Sequence, residues 1–134
     1  MRSEAAAAHV RTQEDARAPL RRLLVRRDGA LRLIALQDVT WIEADGNYVR
    51  IHTNGHTFRI RTTLSALEQR LDPDQFARVH RSALVNLDRI AEISPWSYGD
   101  YLIRLEDGTR IKLSRYYRRN LEARFGIDAA LEAG

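Results

Sequence analysis

The chain has 134 residues, of which 44% are hydrophobic and 30% charged, with no cysteine and a formal net charge of +4. That length provides one domain with a single real core, and the balance suits a soluble globular chain rather than a disordered one. The composition excludes disulfides, thiolate metal sites and a thiol nucleophile, and no apolar stretch approaches the roughly 20 residues that a spanning helix requires.

Residues 1–19 are rich in alanine and charge and end at Pro19, which reads as a linker or a frayed helix. They contain no apolar signal core and no cleavage site, so the expectation is a cytoplasmic protein. From Leu20 the texture changes. RRLLVRR (21–27) and ALRLIAL (30–36) read as two strands around Asp28-Gly29. VTWIEA (39–44) is a third strand, broken at Asp45-Gly46. YVRIHT (48–53) and HTFRIRT (56–62) flank Asn54-Gly55, the strongest hairpin signal, since both of its residues tolerate positive φ.

The period then changes. Leu64, Leu67 and Leu71 recur at i, i+3 and i+7, which predicts a short amphipathic helix with Thr62 or Thr63 as N-cap. Asp72-Pro73 ends it. RVHRSALVNL (78–87) follows, in which a compact apolar run, Ala83-Leu84-Val85, is entered through a histidine and an arginine. RIAEIS (89–94) is stopped by Pro95, and YLIRLED (101–107) pairs with TRIKL (109–113) across Asp107-Gly108. Ser114 then caps a helix, SRYYRRNLEARF, closed by Gly126. The fold class predicted is mainly β with short α-helices (α+β). The organisation is a flexible segment over 1–19, one domain over 20–126 and a tail over 127–134.

Charge is unevenly placed. Segment 1–19 is neutral, whereas 20–126 holds 19 basic against 13 acidic residues, and every basic residue except Lys112 is arginine. Arginine's planar fork suits phosphates and guanine edges, although a base-composition bias in the coding DNA explains the same skew. In the last helix, Tyr117 and Leu121 share one face while Arg115, Arg118 and Arg119 cluster on the other. A basic face at a helix N-terminus favours phosphates, and it is equally what a solvated surface helix carries.

Enzyme chemistry finds few parts. His52 and His56 flank a turn, but no third ligand is tied to them, so no metal is expected. His80 with Ser82 or Asp88 lacks a nucleophile elbow and an oxyanion loop, and there is no phosphate-binding glycine loop. No catalytic residue and no cofactor are expected.

RVHRSALVNL resembles the signature of the LytTR family of bacterial DNA-binding domains, with Phe76, Arg78, His80, Arg81, Ser82, Val85 and Asn86 at the family's spacing. WIEADGNYVRIHT (41–53), TLSALEQRL (63–71) and DYLIRLEDGTRIKLSRYYRRNLEARF (100–125) resemble its other hallmarks in order. The resemblance implies a LytTR-like fold of short, mostly antiparallel β-sheets with one short mid-chain helix and a C-terminal basic helix. It also implies double-stranded DNA as partner, read by inter-strand loops in the major groove. By this resemblance Asn47, Tyr48, Arg81 and Arg115 are base-contact candidates, and Arg78, Lys112, Arg118 and Arg119 are phosphate candidates. His80, Ser82, Asn86 and Ser114 are read as structural members of the motif. Two departures stand out, Ala83 where the family carries a larger residue and Tyr48 at a base-reading position.

The function expected is sequence-specific DNA binding by a transcriptional regulator, with two copies on imperfect direct repeats. No phosphoacceptor domain precedes Leu20 in the sequence, so the expectation is either a freestanding regulator or a fragment of a longer response regulator, with a sensor kinase or a receiver in trans as a signalling partner. A protein-interaction module of the same fold is the alternative, with Trp96, Tyr98 and Tyr101 as its exposed aromatics. RNA binding through those aromatics ranks third.

Overall fold

The computed structural model describes residues 18–125. Gly126, expected to close the last helix, and the segments 1–17 and 127–134 lie outside the described residues. Strands β1 (Arg22–Arg27) and β2 (Ala30–Ala35) form a hairpin sheet of their own. Asp28 and Gly29 have φ of 51° and 77°, the paired positive values of a type I′ turn. Their strands place Leu23, Val25 and Ile34 inward, while Leu24, Leu31 and Leu33 remain exposed on the outer face.

Five strands make the central sheet: β3 (Val39–Asp45), β4 (Tyr48–Thr53), β5 (His56–Ile60), β6 (Phe76–His80) and β7 (Ala83–Asn86). All neighbours are antiparallel, in the order β5-β4-β3-β7-β6. The Asn54-Gly55 hairpin forms as expected, but only Gly55 has positive φ, 83°, so its turn is not the type I′ that the dipeptide allows. Between β5 and β6 lies α1 (Leu64–Glu68). Thr63 is its N-cap, its hydroxyl accepting from Ala66 N at 3.0 Å. Leu64, Leu67 and Leu71 all point into the core, the last through a turn beyond the helix proper.

β7 explains the apolar run at 83–85. It is an interior strand between β3 and β6, and it is buried on both faces. Leu84 joins the core formed with β1, β2 and α1, while Ala83 and Val85 join a second core on the opposite side. Alternation therefore serves two cores at once, so no polar position is left in the run.

The second core is closed by a three-stranded antiparallel sheet, β8 (Ile90–Pro95), β9 (Tyr101–Leu105) and β10 (Arg110–Leu113), in the order β10-β9-β8. Helix α2 (Arg118–Phe125) seals it through fully buried Leu121, with Tyr117 packed alongside. The helix starts at Arg118, three residues later than a Ser114 cap predicts. Residues 114–118 form tight i→i+3 turns instead, with Tyr117 N bonding Ser114 O at 2.9 Å and Arg118 N bonding Arg115 O at 3.4 Å. Arg115 is consequently not on the helix. The expected basic face of Arg115, Arg118 and Arg119 does not form as one helical surface. No helix among the described residues is long and apolar enough to cross a membrane.

Candidate nucleic-acid interface

Backbone hydrogen bonds gather the loops of interest at one end of the molecule. The β3–β4 turn is Gly46-Asn47, with Gly46 supplying the positive φ (62°) that the first central position of a type II′ hairpin turn requires. The β6–β7 turn, Arg81-Ser82, sits beside it because Ala44 N donates to Ser82 O at 2.9 Å. The end of β10 reaches the same place, where Ser114 N donates to Val79 O at 2.9 Å. The β8–β9 loop completes the cluster, with Asp100 Oδ1 accepting from Arg115 N at 2.9 Å. Asn47, Arg81 and Arg115 are all exposed along this edge, and Tyr48 is half-buried beside them.

His80 and Ser82 hold the β6–β7 turn. Ser82 N donates to His80 Nδ1 at 3.2 Å and the Ser82 hydroxyl lies 3.0 Å from the same nitrogen. An accepting Nδ1 leaves the ring proton on Nε2. Burial pushes the His80 pKa down, and the cations Lys112, Arg81 and Arg78 push it the same way, so the neutral ring is favoured. Asn86 is fully buried. Its Nδ2 donates to Val39 O at 2.8 Å and its Oδ1 accepts from Asp88 N at 3.0 Å, so it ties β7 to the start of β3 as well as to its own neighbourhood. Ser114 Oγ accepts from Tyr116 N at 3.1 Å, which caps the turn before α2 rather than the helix itself.

The expected phosphate contacts divide. Arg78 is largely buried, its side chain 13% exposed. Its guanidinium bonds Glu68 at 2.8 Å, His80 O at 3.0 Å and Arg81 O, so it clamps the turn from beneath instead of facing solvent. Lys112 is exposed and pairs with Asp100 at 3.3 Å. Arg118 pairs with Glu122 at 3.1 Å and lies over the Tyr101 ring at 5.2 Å. Arg119 is exposed on the first turn of α2.

Arg115 is held from two sides. Its Nη1 donates to Tyr98 O at 3.3 Å, and Gly99, with φ of 84°, leaves room for its stem. The Arg115 backbone N–H and the nearby Lys112 together hold the Asp100 carboxyl below its ordinary range. Tyr98 and Tyr116, 90% and 82% exposed, stand next to Arg115 in space and sequence. A cleft of about 270 Å³ runs between the central sheet and β10, lined by Glu43, His80, Ser82, Arg110 and Lys112.

Several residues near this edge escape the sequence reading. Arg59 and Arg61 follow from the alternation of HTFRIRT, but their place beside Tyr48 depends on the register of β4 with β5. His52 is no plain surface histidine. It stacks on Trp41 at 4.5 Å and bonds Glu43 at 2.8 Å, and register sets it on the opposite face from His56. Among the described residues no group of three or more His, Asp or Glu is arranged to hold a metal ion.

Comparison with known proteins identifies the family and the fold. The model of the LytTr DNA-binding domain family matches residues 29–126. Sensory transduction protein LytT of Bacillus subtilis is 29% identical over 113 residues, 84% of this chain and 47% of that protein. Transcriptional regulatory protein LytR of Staphylococcus aureus is 28% identical over 100 residues, 75% of this chain and 41% of that protein. The chain thus spans less than half the length of these relatives. A solved LytTr DNA-binding domain from Bacillus cereus superposes with a TM-score of 0.73 at 22% identity, covering 80% of this chain and 98% of that one, which shows a shared fold.

Proposed function

The chain belongs to the LytTr DNA-binding domain family, and from that premise we propose that it binds duplex DNA sequence-specifically as the reading head of a bacterial transcriptional regulator. The observation that carries this reading is the convergence of the Asn47, Arg81 and Arg115 turns on one exposed edge, tied together by backbone hydrogen bonds and by the Asp100 carboxylate. Turns fixed in this way present side chains at low entropic cost.

In this proposal Asn47 and Tyr48 read bases in one major groove and Arg115 reads a second. A bidentate Asn–adenine or Arg–guanine pair is worth roughly 1–3 kcal/mol of discrimination. Arg81 enters between them, while Lys112, Arg118 and Arg119 bear on phosphates and set register. Arg78 supports the Arg81 turn. Two copies occupy imperfect direct repeats, and a phosphoacceptor domain or sensor kinase supplies the signal. The family is one of DNA-binding domains, not an enzyme class, and the proposal needs no cofactor.

A specific observation keeps a second reading alive. Leu24, Leu31 and Leu33 are 57–64% exposed on the outer face of the β1–β2 hairpin, a place suited to a protein partner.

The test is selection of genomic fragments by the purified chain at two salt concentrations, beside Arg81→Ala and Arg115→Ala. The expected result is a recurrent direct-repeat motif whose information falls at defined positions in the variants. Weak, motif-free binding that vanishes with salt refutes the proposal and favours the protein-interaction reading.

A further inference from the structure

We infer that the uncovered half of the central sheet, the β4–β5 face carrying Arg50, Arg59 and Arg61, is a second duplex-binding surface that grips phosphates flanking the loop-read site; this rests on the DNA-binding reading above. The sheet topology creates the surface. On the face shared by Trp41, Ala83 and Val85, the β3–β7–β6 half is covered by β8–β10 and α2. Among the described residues the β4–β5 half has no such cover. Register places Arg50 opposite Arg59 and His52 opposite Thr57 there, with Tyr48 at the β3–β4 turn end. Side-chain exposure is 47% for Arg50 and 57% for Arg59, and Arg61 is exposed as well.

The arginines are ordered rather than loose. Arg59 lies over the Tyr48 ring at 4.0 Å, and its Nε reaches Asp45 Oδ2 at 3.1 Å. Arg50 Nε reaches the same oxygen at 3.2 Å. Arg61 approaches the Tyr48 ring from 5.9 Å. One carboxylate therefore orients two guanidiniums by their Nε, and no described residue hydrogen-bonds the terminal nitrogens of Arg59. Those nitrogens form the edge that takes a phosphate bidentately. Asp45 and Glu43 offset two of the three charges, which leaves a modest positive excess and a fixed geometry. Tyr48 belongs to the same hairpin as Asn47, so a duplex seated on that turn continues onto this face. The ligand class is a polyanionic backbone, because Asp45 fixes the Arg50 and Arg59 guanidiniums side by side with Arg61 nearby, a spread of charge that suits successive phosphates better than a single base edge.

β5 is also the outermost strand of its sheet, and charged residues on such a strand can serve only to block edge pairing. The test separates these roles. A duplex trimmed to the motif from the genomic selection is compared with one extended by about one helical turn on each side, for the wild type, Arg59→Gln/Arg61→Gln and Arg59→Lys/Arg61→Lys. Extension is expected to tighten wild-type binding and to steepen log K against log salt by about 1.8, the value for two phosphate contacts. The glutamine variant loses both gains while keeping its affinity for the trimmed duplex, and the lysine variant keeps most of the slope. If wild type and glutamine variant respond alike to extension, the inference is overturned alone, and self-association of that variant on sizing would identify edge protection as the role. If the wild type binds neither duplex, the DNA reading falls and takes this inference with it.

Discussion

Arg78→Met separates a structural arginine from a DNA contact within one motif. The wild-type guanidinium donates to Glu68 Oε1 at 2.8 Å, to His80 O at 3.0 Å and to Arg81 O, with the side chain only 13% exposed. Hydrogen bonds from a charged donor contribute about 1.5–3 kcal/mol each when buried, but Glu68 is 39% exposed and the turn carbonyls regain water. The net loss expected is about 2 kcal/mol, which lowers Tm by roughly 8–16 °C for a domain of this size. Methionine replaces the apolar stem with one of similar length, so the loss reports chiefly the hydrogen bonds, together with the guanidinium's approach to the Tyr117 ring at 6.0 Å. Specific DNA affinity falls as well, because the Arg81 turn loses two donors, yet the fall is bounded by what Arg81 itself contributes. In a double-mutant cycle Arg78→Met therefore costs little extra binding once Arg81 is alanine. The salt slope stays at its wild-type value, since the Arg78 charge is already matched by Glu68. Calorimetry for Tm and fluorescence anisotropy over a salt series give both readouts. An unchanged Tm with a slope reduced by about 0.9 would mean that Arg78 neutralises a phosphate, and the clamp would be refuted.

Three further outcomes are expected. Asn86→Ala orphans the Val39 carbonyl and the Asp88 amide, buried or half-buried groups that cost about 1–3 kcal/mol each when unsatisfied. Urea unfolding should show a loss of about 2–4 kcal/mol, and a loss under about 1 kcal/mol contradicts the bonding described. His80 has a lowered pKa in the folded domain, through burial first and then Lys112, Arg81 and Arg78, so the unfolded chain binds its proton more readily. Its contribution to stability is complete above the unfolded value of 6.5 and is lost as pH falls through the lowered folded value. Urea midpoints between pH 7.5 and 5 should fall more in wild type than in His80→Gln, and parallel profiles speak against it. Gly99→Ala places a Cβ 3.4 Å from the Arg115 Cδ at a φ of 84°, whereas Gly108→Ala meets only strain, at 93° with open space around it. Each should lose about 1 kcal/mol of stability, but only Gly99→Ala should weaken DNA binding; equal affinities would disconnect Gly99 from Arg115.

Much of this architecture is legible because alternation and turn chemistry agree. Asp28-Gly29, Asn54-Gly55 and Asp107-Gly108 each mark a hairpin, and Leu64, Leu67 and Leu71 mark the side of α1 that is buried. The start of α2 is misread for a definable reason. Ser114 is a good cap and SRYYRR has no helix breaker, but the backbone amides of Ser114 and Arg115 are drawn to Val79 and Asp100. The first bond crosses to the central sheet and the second ties the chain to the start of β9, and together they hold it in i→i+3 turns until Arg118. The Asn54-Gly55 turn shows the same limit on a smaller scale, since a dipeptide permits a turn type that the strands around it then select.

The arginines mark where charge alone stops being informative. Arg78 and Arg81 stand three residues apart in one motif, and an isolated reading gives both to DNA. β6 directs Arg78 toward a carboxylate on α1 and two carbonyls of its own turn, all within hydrogen-bond distance. Arg81 sits at the tip of that turn, exposed. Arg59 presents an intermediate case, with one nitrogen on Asp45, its plane on Tyr48 and its outer edge bonded by no described residue. A guanidinium has five donors in a rigid fork, so its role depends on how many of them the fold satisfies first. By that criterion Arg78 is spent on the fold, whereas the proposed DNA roles of Arg81 and Arg59 draw on donors that no described residue takes up. The ordering is testable, because salt slope should respond to Arg59→Gln on an extended duplex and remain indifferent to Arg78→Met on any duplex.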